Sequence, residues 1–410
     1  MKSLSFVHLA DLHLGYTQYN LPERREDFSR VFVEAVDRTL ELKPDFAILA
    51  GDIFDSPRPS NQTLATAVRE LRRLREAGVK VFATDGSHDM EPNVMTGTVL
   101  TPLHNAGLIC YLPRLEGSAF RGEDYYIYGL PGSRSLMEAD GKFPSYLKDK
   151  PPKPEPSAFN ILVFHGALDD PRYSPPYFKP DIRVDHLPSG FQYYAGGHIH
   201  EPKRLEFKGG LLAYPGCLET TDYSEAAVEK GFYHVRVEAP DAVPRVERIS
   251  VEKARRFIVE ERDYSGMTPK AVFQESSNLL ASLDSEGAVV VFLLKGQLPP
   301  GYRKSEVDVH GIRSSAPKAL HTMVLNQMTE AELAEEDVFR LKEARELKTL
   351  AYRYLFEYFR HRYPGGVDVK MAKIALELLD PLIQGEEGKV KTLLEEAVEG
   401  FPAKDEGSKP

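Results

Sequence analysis

Cysteine, long apolar runs and excess positive charge are what this chain of 410 residues has little of, and each shortage narrows the possibilities. The two cysteines, Cys110 and Cys217, lack CxxC spacing. They argue against a disulfide framework and for a reducing compartment, so a cytoplasmic location is expected. No apolar stretch approaches the roughly 20 residues that cross a bilayer, and no membrane segment is expected. Met1-Lys2-Ser3-Leu4 leads straight into a strand-like run, without the charged, apolar and small-residue regions of a secretory leader. Secretion is not indicated. Lys and Arg number 52 against 62 Asp and Glu, a net charge of −10. Bulk attraction to nucleic acid is thereby excluded, and any such binding must come from local basic clusters. Residues 330–410 hold 18 acidic and 13 basic side chains, a balance of −5, which makes this last fifth a poor DNA surface.

What the chain does have is a regular alternation of element types. Its length exceeds one compact domain, so two or three are expected. Short β-branched or aromatic runs at 4–10, 46–50, 79–84, 125–130, 160–164 and 192–196 predict strands. Between the first three, residues 24–42 bring Phe28, Val31, Phe32, Ala35, Val36 and Leu40 to one helical face. Residues 60–77 repeat that spacing with Leu64, Ala67, Val68, Leu71 and Leu74. Strand, helix, strand, helix, strand implies right-handed parallel crossovers and an α/β fold, whose ligands gather beyond the carboxyl ends of the strands. Residues 141–158 and 170–190 hold five prolines each and read as surface loops inside this domain. From Gly231 the pattern changes, and strands at 232–237, 256–259 and 288–294 with a helix near 269–283 predict a small α+β unit. A third region begins near Thr329. There Val338, Leu341, Ala344, Leu347, Ala351, Tyr354, Leu355 and Tyr358 follow helical spacing as far as Pro364-Gly365-Gly366. Asp368 then caps a helix bearing Met371, Ala372, Ala375, Leu378, Leu379 and Leu382, and Gly385 and Gly388 bracket a further turn. The expected division is 1–230, 231–325 and 330–400, with a disordered tail at 401–410.

Five short blocks carry the chemistry: Asp11-Leu12-His13, Gly51-Asp52-Ile53-Phe54-Asp55, Gly86-Ser87-His88-Asp89, His165-Gly166 and Gly197-His198-Ile199-His200. Each follows a strand-like run, so a parallel sheet delivers all five to one edge. A lone His on a strand is more often a satisfied core residue than a ligand, but five such blocks at strand ends do not arise from packing alone. Carboxylates mixed with imidazoles suit Mn²⁺, Fe²⁺ or Zn²⁺, and two such ions about 3.5–4 Å apart can clamp the attacking and leaving oxygens of a phosphoryl displacement. A carboxylate must bridge them, and Asp52 is the natural bridge. Asp11 and His13, two apart on an extended segment, point to one side and can share an ion, and His198 and His200 repeat the spacing.

In this order the blocks resemble the calcineurin-like metallophosphoesterases, and more closely the SbcD-type nucleases of DNA double-strand-break repair. The segments 8–16, 50–54, 56–60, 194–200 and 214–219 carry the likeness, which is strong to about residue 235 and architectural beyond it. The resemblance implies a layered αββα sandwich with a small α+β capping domain and a helical C-terminal tail. It implies two Mn²⁺ ions, with Mg²⁺, Fe²⁺ or Zn²⁺ as alternatives. Asp11, His13, Asp52 and His200 would hold one ion, and Asp52, residue 87, His165 and His198 the other. Relatives carry Asn at residue 87. Ser87 is a shorter and poorer donor, so the second ion is expected to be held more weakly. His88 is implied to face the scissile phosphate as a general acid, oriented by Asp89, while Asp55 stands where some relatives place His.

Tyr16, Arg24, Arg58, Lys203 and Arg204 follow the blocks and are expected on loops facing a phosphate backbone, with ordinary solvated charge as the alternative. The apolar stripes of 330–400 must be buried, either on this chain or on a partner. The resemblance implies the partner, an SbcC-type ABC ATPase with a coiled coil. It also implies a nucleoid-associated homodimer, with Leu64, Val68, Leu71, Val94, Val99 and Leu103 as candidate contacts. The function expected is a metal-dependent DNA nuclease, a 3′–5′ exonuclease and single-strand endonuclease that processes DNA ends. Two alternatives stay open: a generic metallophosphoesterase, and a DNA-end-binding scaffold whose nuclease activity Ser87 impairs.

Overall fold

Side-chain alternation along the strands sorts the apolar residues of the first 255 positions into three layers of core. A computed structural model describes residues 3–90, 97–175, 178–299, 302–331, 347–362 and 367–399. Val94, Val338, Leu341, Ala344, the 364–366 break and the 401–410 tail lie outside the described residues. The strands of the first unit are β1 (Leu4–Leu9), β2 (Phe46–Ala50), β3 (Lys80–Thr84), β4 (Cys110–Tyr111), β5 (Ala119–Arg121) and β6 (Tyr125–Gly129), followed by β7 (Phe159–His165), β8 (Tyr193–Gly197), β9 (Lys203–Phe207), β10 (Gly210–Tyr214), β11 (Gly231–Val237) and β12 (Arg245–Ser250). Among the described residues they form two six-stranded sheets, ordered β12-β11-β1-β2-β3-β4 and β5-β6-β7-β8-β10-β9. β1 to β4 are parallel neighbours, as are β6, β7 and β8.

Phe6, Phe46 and Phe82 from the first sheet meet Ile127, Phe159, Ile161 and Tyr193 from the second. The rings of Phe6 and Phe46 stack at 5.0 Å and Tyr193 meets Phe6 edge-on at 5.3 Å, geometry that adds to simple area burial. The intervening residues Val7, Leu9, Ala47, Leu49 and Val81 face outward, against helices α1 (Pro22–Leu42) and α2 (Asn61–Glu76), with α3 (Leu100–Asn105) beside them. On the far side Tyr128, Leu162, Phe164 and Tyr194 pack on α4 (Leu136–Asp149) through Ala139 and Phe143. The order of layers is therefore helix, sheet, sheet, helix, as the αββα expectation has it. Helix ends follow local chemistry. Pro22 opens α1, Lys43 closes it in a left-handed conformation with φ 51°, and the Ser60 hydroxyl accepts the Thr63 N–H at the start of α2.

Expectations about element type and domain boundary need correction. The proline-rich 141–158 segment is helical through Asp149, because Ser135 caps α4 and buried Ala139 and Phe143 hold it to the sheet around Pro144. The described residues of 170–190 form an irregular loop inside the domain, as expected, anchored by fully buried Ile182 and Leu187 and by Arg183, which pairs with Asp140 at 2.7 Å. Residues 231–250 join the first sheet, with β11 antiparallel to β1, and the first compact unit runs to Arg255 rather than to 230. Local pattern predicted β11 but carried no information about its partner, and β12 was not expected.

The second unit begins at Arg256. Its strands β13 (Phe257–Asp263), β14 (Val289–Lys295) and β15 (His321–Asn326) are parallel, and Val290, Phe292 and Leu294 pack on α5 (Pro269–Leu283) and α6 (Val309–Arg313). Helices α7 (Leu347–Arg362), α8 (Val367–Ile383) and α9 (Glu387–Glu399) pack in succession, so the turn expected at Gly385 and Gly388 leads into a third helix. Among the described residues no helix is long and apolar enough to cross a membrane.

Arg24, expected at the substrate edge, is instead fully buried. Its guanidinium donates to Gln18 at 2.9 Å, Asp27 at 2.6 Å, Glu219 at 3.2 Å and the Thr220 carbonyl at 2.8 Å. Arg255 adds a 2.7 Å bond to Asp27. Burial opposes ionisation of Asp27, but the hydrogen bond from Arg255 and the charge of Arg24 outweigh it and hold the carboxyl below its ordinary value. Asp27→Ala would strand a buried guanidinium, and urea unfolding of the full chain at pH 7 is expected to show a loss of about 3–5 kcal/mol. The carboxylate contribution is present above the unfolded value of about 3.9 and is lost as pH falls through the lower folded value. The stability gap between wild type and Asp27→Asn is therefore expected to narrow below about pH 4, and a gap that stays constant to pH 2 would contradict the assignment.

Candidate metal centre

The carboxyl ends of β1, β2 and β3 in one sheet and of β7 and β8 in the other deliver all five blocks to one pocket. The chain turns sharply there. Asp11 (φ 54°), His13 (φ 42°), Asp52 (φ 48°) and His198 (φ 91°) all adopt positive φ, a conformation that non-glycine residues avoid and that aims these side chains off the strand ends. Two loops run side by side through bonds from the Asp11 N–H to Gly51 O (3.2 Å) and from the His13 N–H to Asp52 O (3.0 Å). Gly51, at φ 83°, allows a close approach, since a Cβ would fall 2.3 Å from Nδ1 of His165.

Side-chain ligand atoms converge in two main groups: Asp11, His13 and His200, and Asp52, His165 and His198, each with atoms within 4.8 Å of one another. Hydrogen bonds decide which nitrogens carry lone pairs. His165 Nδ1 lies 2.9 Å from the Ala50 carbonyl, which can only accept, so Nδ1 bears the proton. Its Nε2 is left buried without a hydrogen-bond partner and 3.1 Å from Asp52 Oδ2. His200 Nδ1 lies 2.6 Å from Glu225, which directs its Nε2 to within 3.3 Å of His13 Nε2 and 3.9 Å of Asp11 Oδ1. Lone pairs thus face lone pairs and carboxylates in a buried space, an arrangement that requires a cation. The donor set fits divalent ions. A further cluster, His200, Cys217 and Glu225, already has its positive charge, because Lys230 Nζ sits 3.4 Å from Cys217 Sγ and 3.3 Å from Glu225.

Ser87 borders the second group, its hydroxyl 3.4 Å from Asp52 Oδ2. His88 is 46% exposed, its ring edge-on to His13 at 4.9 Å and its Nδ1 2.9 Å from the Asp55 carbonyl. Asp89, the expected orienting residue, bonds backbone N–H groups of the adjoining loops through its carboxylate. The Asp89 carboxylate is fully buried and accepts the N–H groups of Ile53, Phe54 and Gly86 at 3.1, 2.9 and 3.0 Å, so it ties two loops together. Lys203 and Arg204 open β9 rather than a loop, and Arg204 donates to the Val246 carbonyl at 2.9 Å, linking the edges of the two sheets. Tyr16 packs edge-on to Phe28 at 5.5 Å, and Arg58 is exposed. Sequence reasoning missed Glu225, Thr221, Lys230 and Asp181, which act on the histidines from loops without any periodic or spaced motif.

Burial opposes charge on His165, but neighbouring Asp52 and then Asp11 outweigh it and raise the group to about 10. Burial and the charge of His165 hold His198 neutral, down to about 3. Without a cation, a proton on His165 takes the cation's place. A raised folded value contributes stability below the unfolded value of about 6.5 and loses it as pH rises through the folded one. Metal-free protein is therefore expected to lose stability between pH 7 and 10 relative to His165→Asn, as measured by urea unfolding in chelator. Parallel pH profiles would contradict the raised value.

Comparison with known proteins agrees with this geometry. Residues 4–202 match the family model for calcineurin-like phosphoesterase. The chain is 30% identical over 360 residues to the DNA double-strand break repair protein Mre11 of Archaeoglobus fulgidus, an alignment covering 82% of this chain and 78% of that one. It is 32% identical over 270 residues to the Mre11 protein of Methanocaldococcus jannaschii, covering 62% and 68%. Over 316 residues it is 28% identical to the uncharacterized metallophosphoesterase YhaO of Bacillus subtilis, with 73% of each chain covered. The extent of the first match, which runs well past the phosphoesterase domain, makes this chain a member of the Mre11 family of DNA double-strand break repair proteins.

Proposed function

We propose that the chain is a metal-dependent DNA phosphodiesterase, a 3′–5′ exonuclease and single-strand endonuclease that processes the ends of double-strand breaks. The observation that supports this most is the pair of clusters that call for cations, in one pocket with His88 exposed beside them. Asp11, His13 and His200 would hold one ion and His165 and His198 the other, with Asp52 shared; Mn²⁺, Fe²⁺ and Zn²⁺ all suit these donors, and Mn²⁺ is the ion proposed. Bound there, the ions would supply Lewis acidity and a nucleophilic water at neutral pH. His88 keeps one proton on Nδ1 against the Asp55 carbonyl, so Nε2 is the nitrogen that exchanges protons. When charged, it can stabilise the phosphate and protonate the 3′ oxygen as it leaves.

DNA is favoured over nucleotides or phosphoproteins by the break-repair relatives, which match beyond the phosphoesterase domain. Tyr16, Arg58 and Lys203 are the proposed backbone contacts, while Arg24 and Arg204 bond within the fold. Leu382 and Leu394, 61% and 47% exposed, line a groove with Pro381 and Val390 that suits the coiled coil of an SbcC-type ATPase. Leu71 and Leu103 are buried in the core, so a homodimer face would rest on half-buried Leu64, Val68 and Val99.

The scaffold reading is favoured by one observation, the Ser87 hydroxyl on the shared Asp52 carboxylate, where it adds no strong ligand. Mn²⁺-supported cleavage of an end-labelled duplex by wild type and Ser87→Asn separates the two. Cleavage by wild type, increased about 10- to 100-fold by Ser87→Asn, is expected from a strengthened second ion. Binding of DNA by both variants with cleavage by neither would end the nuclease reading. His88→Ala is expected to slow cleavage about 10²- to 10⁴-fold while leaving Mn²⁺ affinity unchanged in an equilibrium titration.

A further inference from the structure

A carboxylate outside every motif faces the weaker of the two clusters. Asp181 belongs to the proline-rich segment after β7, and its Oδ2 stands 3.1 Å from Nε2 of His198. Its position is fixed from several sides. The Asp181 N–H donates to the Ala167 carbonyl at 2.9 Å, and the Ala167 N–H donates back to Asp181 Oδ2 at 3.2 Å. Ile182, the next residue, is fully buried. Gly166 leaves the room this needs, since a Cβ there would fall 2.7 Å from Ile182 and 3.3 Å from the Cβ of Asp181. The His198 ring is held edge-on by Phe178 and by His165, each at 5.3 Å.

An imidazole keeps its proton on the nitrogen nearest a carboxylate, which leaves the other nitrogen as the lone-pair donor. In the first cluster Glu225 does this for His200. In the second, the outer nitrogen of His165 bonds a neutral carbonyl, with the Asp11 carboxylate farther off at 3.9 Å, and Ser87 brings only a hydroxyl. We propose that Asp181 is a positioning residue for the second ion: it holds the proton of His198 on Nε2, commits Nδ1 to the metal, raises its basicity, and so offsets the weak donor at Ser87. The proposal rests on the metal reading given above.

The test uses metal-free full-length protein and Mn²⁺ alone, with bound ions counted by electron paramagnetic resonance. Wild type is expected to take two ions. Asp181→Asn should bind the first ion unchanged and the second about 10- to 100-fold more weakly, with Asp181→Glu recovering much of the loss. In chelator the melting temperature of Asp181→Asn should match wild type, because the amide oxygen can still accept the Ala167 N–H. Nitrogen-15 spectra should show the Nε2-protonated form of His198 in wild type and a weaker bias in Asp181→Asn, where a neutral amide oxygen replaces the charged acceptor. An unchanged second affinity in Asp181→Asn would overturn the proposal while leaving two-metal binding intact. Equal weakening of both ions together with a lower melting temperature would reduce Asp181 to a structural role. A wild type that binds no Mn²⁺ would overturn the metal reading itself, and this inference with it.

Discussion

Electron-pair donors crowded into a dry space without a positive charge are the constraint on which the rest of this structure depends. Asp11 and Asp52 are almost fully buried, and the imidazole nitrogens around them have few hydrogen-bond partners of their own. Left to relax, such groups would separate or take up protons. The fold prevents separation by rooting each one at the end of a strand whose other residues are locked between two sheets. Backbone donors then hold the carboxylates: the His198 N–H lies 3.0 Å from both oxygens of Asp11, and the His88 N–H lies 2.8 Å from Asp52. The positive φ angles at Asp11, His13, Asp52 and His198 cost on the order of 1–3 kcal/mol each, a strain that only a rigid sandwich sustains.

The same constraint reaches outward from the pocket. A ring that must present one lone pair inward needs its other nitrogen satisfied, and the chain does this unequally. His200 leans on Glu225, itself held by Thr221 and Lys230, in a network of bonds from 2.6 to 3.3 Å. His165 leans on a backbone carbonyl, a weaker support. Asp89 carries no charge to the pocket's mouth but joins the second and third loops, so the block that supplies His88 cannot drift from the block that supplies Asp52.

Much of this was legible in the sequence because it rests on short-range regularities. Short β-branched or aromatic runs followed by Asp or His marked the strands and the ligand edge, and helical spacing in 24–42 and 60–77 marked the outer layer. Whatever depends on distant partners was not legible. Arg24 reads as a surface cation until Glu219, 195 residues away, is seen beside it. β11 carries the same local pattern whether it pairs with β1 or with a separate unit. Asp181 and Glu225 lie on irregular loops, where neither spacing nor periodicity marks a side chain as reaching the site. The proline-rich 141–158 segment misled for the opposite reason, since the helix cap at Ser135 and the buried anchor Phe143 outweigh composition.

Charge then sets a condition on any phosphate ligand. The pocket gathers Asp11, Asp52, Asp55 and Asp181, while Arg24 and Arg255, cations that a count of basic residues would credit to substrate binding, are consumed by Asp27 and Glu219. With a net charge of −10 there is no general field to draw a polyanion in. A phosphodiester approaching the pocket would meet several carboxylates, offset without metal only by protons on the histidines. It becomes acceptable when divalent cations reverse the local sign, so affinity for the reacting phosphate and occupancy by metal are one linked equilibrium. On this argument any weakness that Ser87 introduces is felt first in how the substrate is held at the pocket, before any chemistry begins.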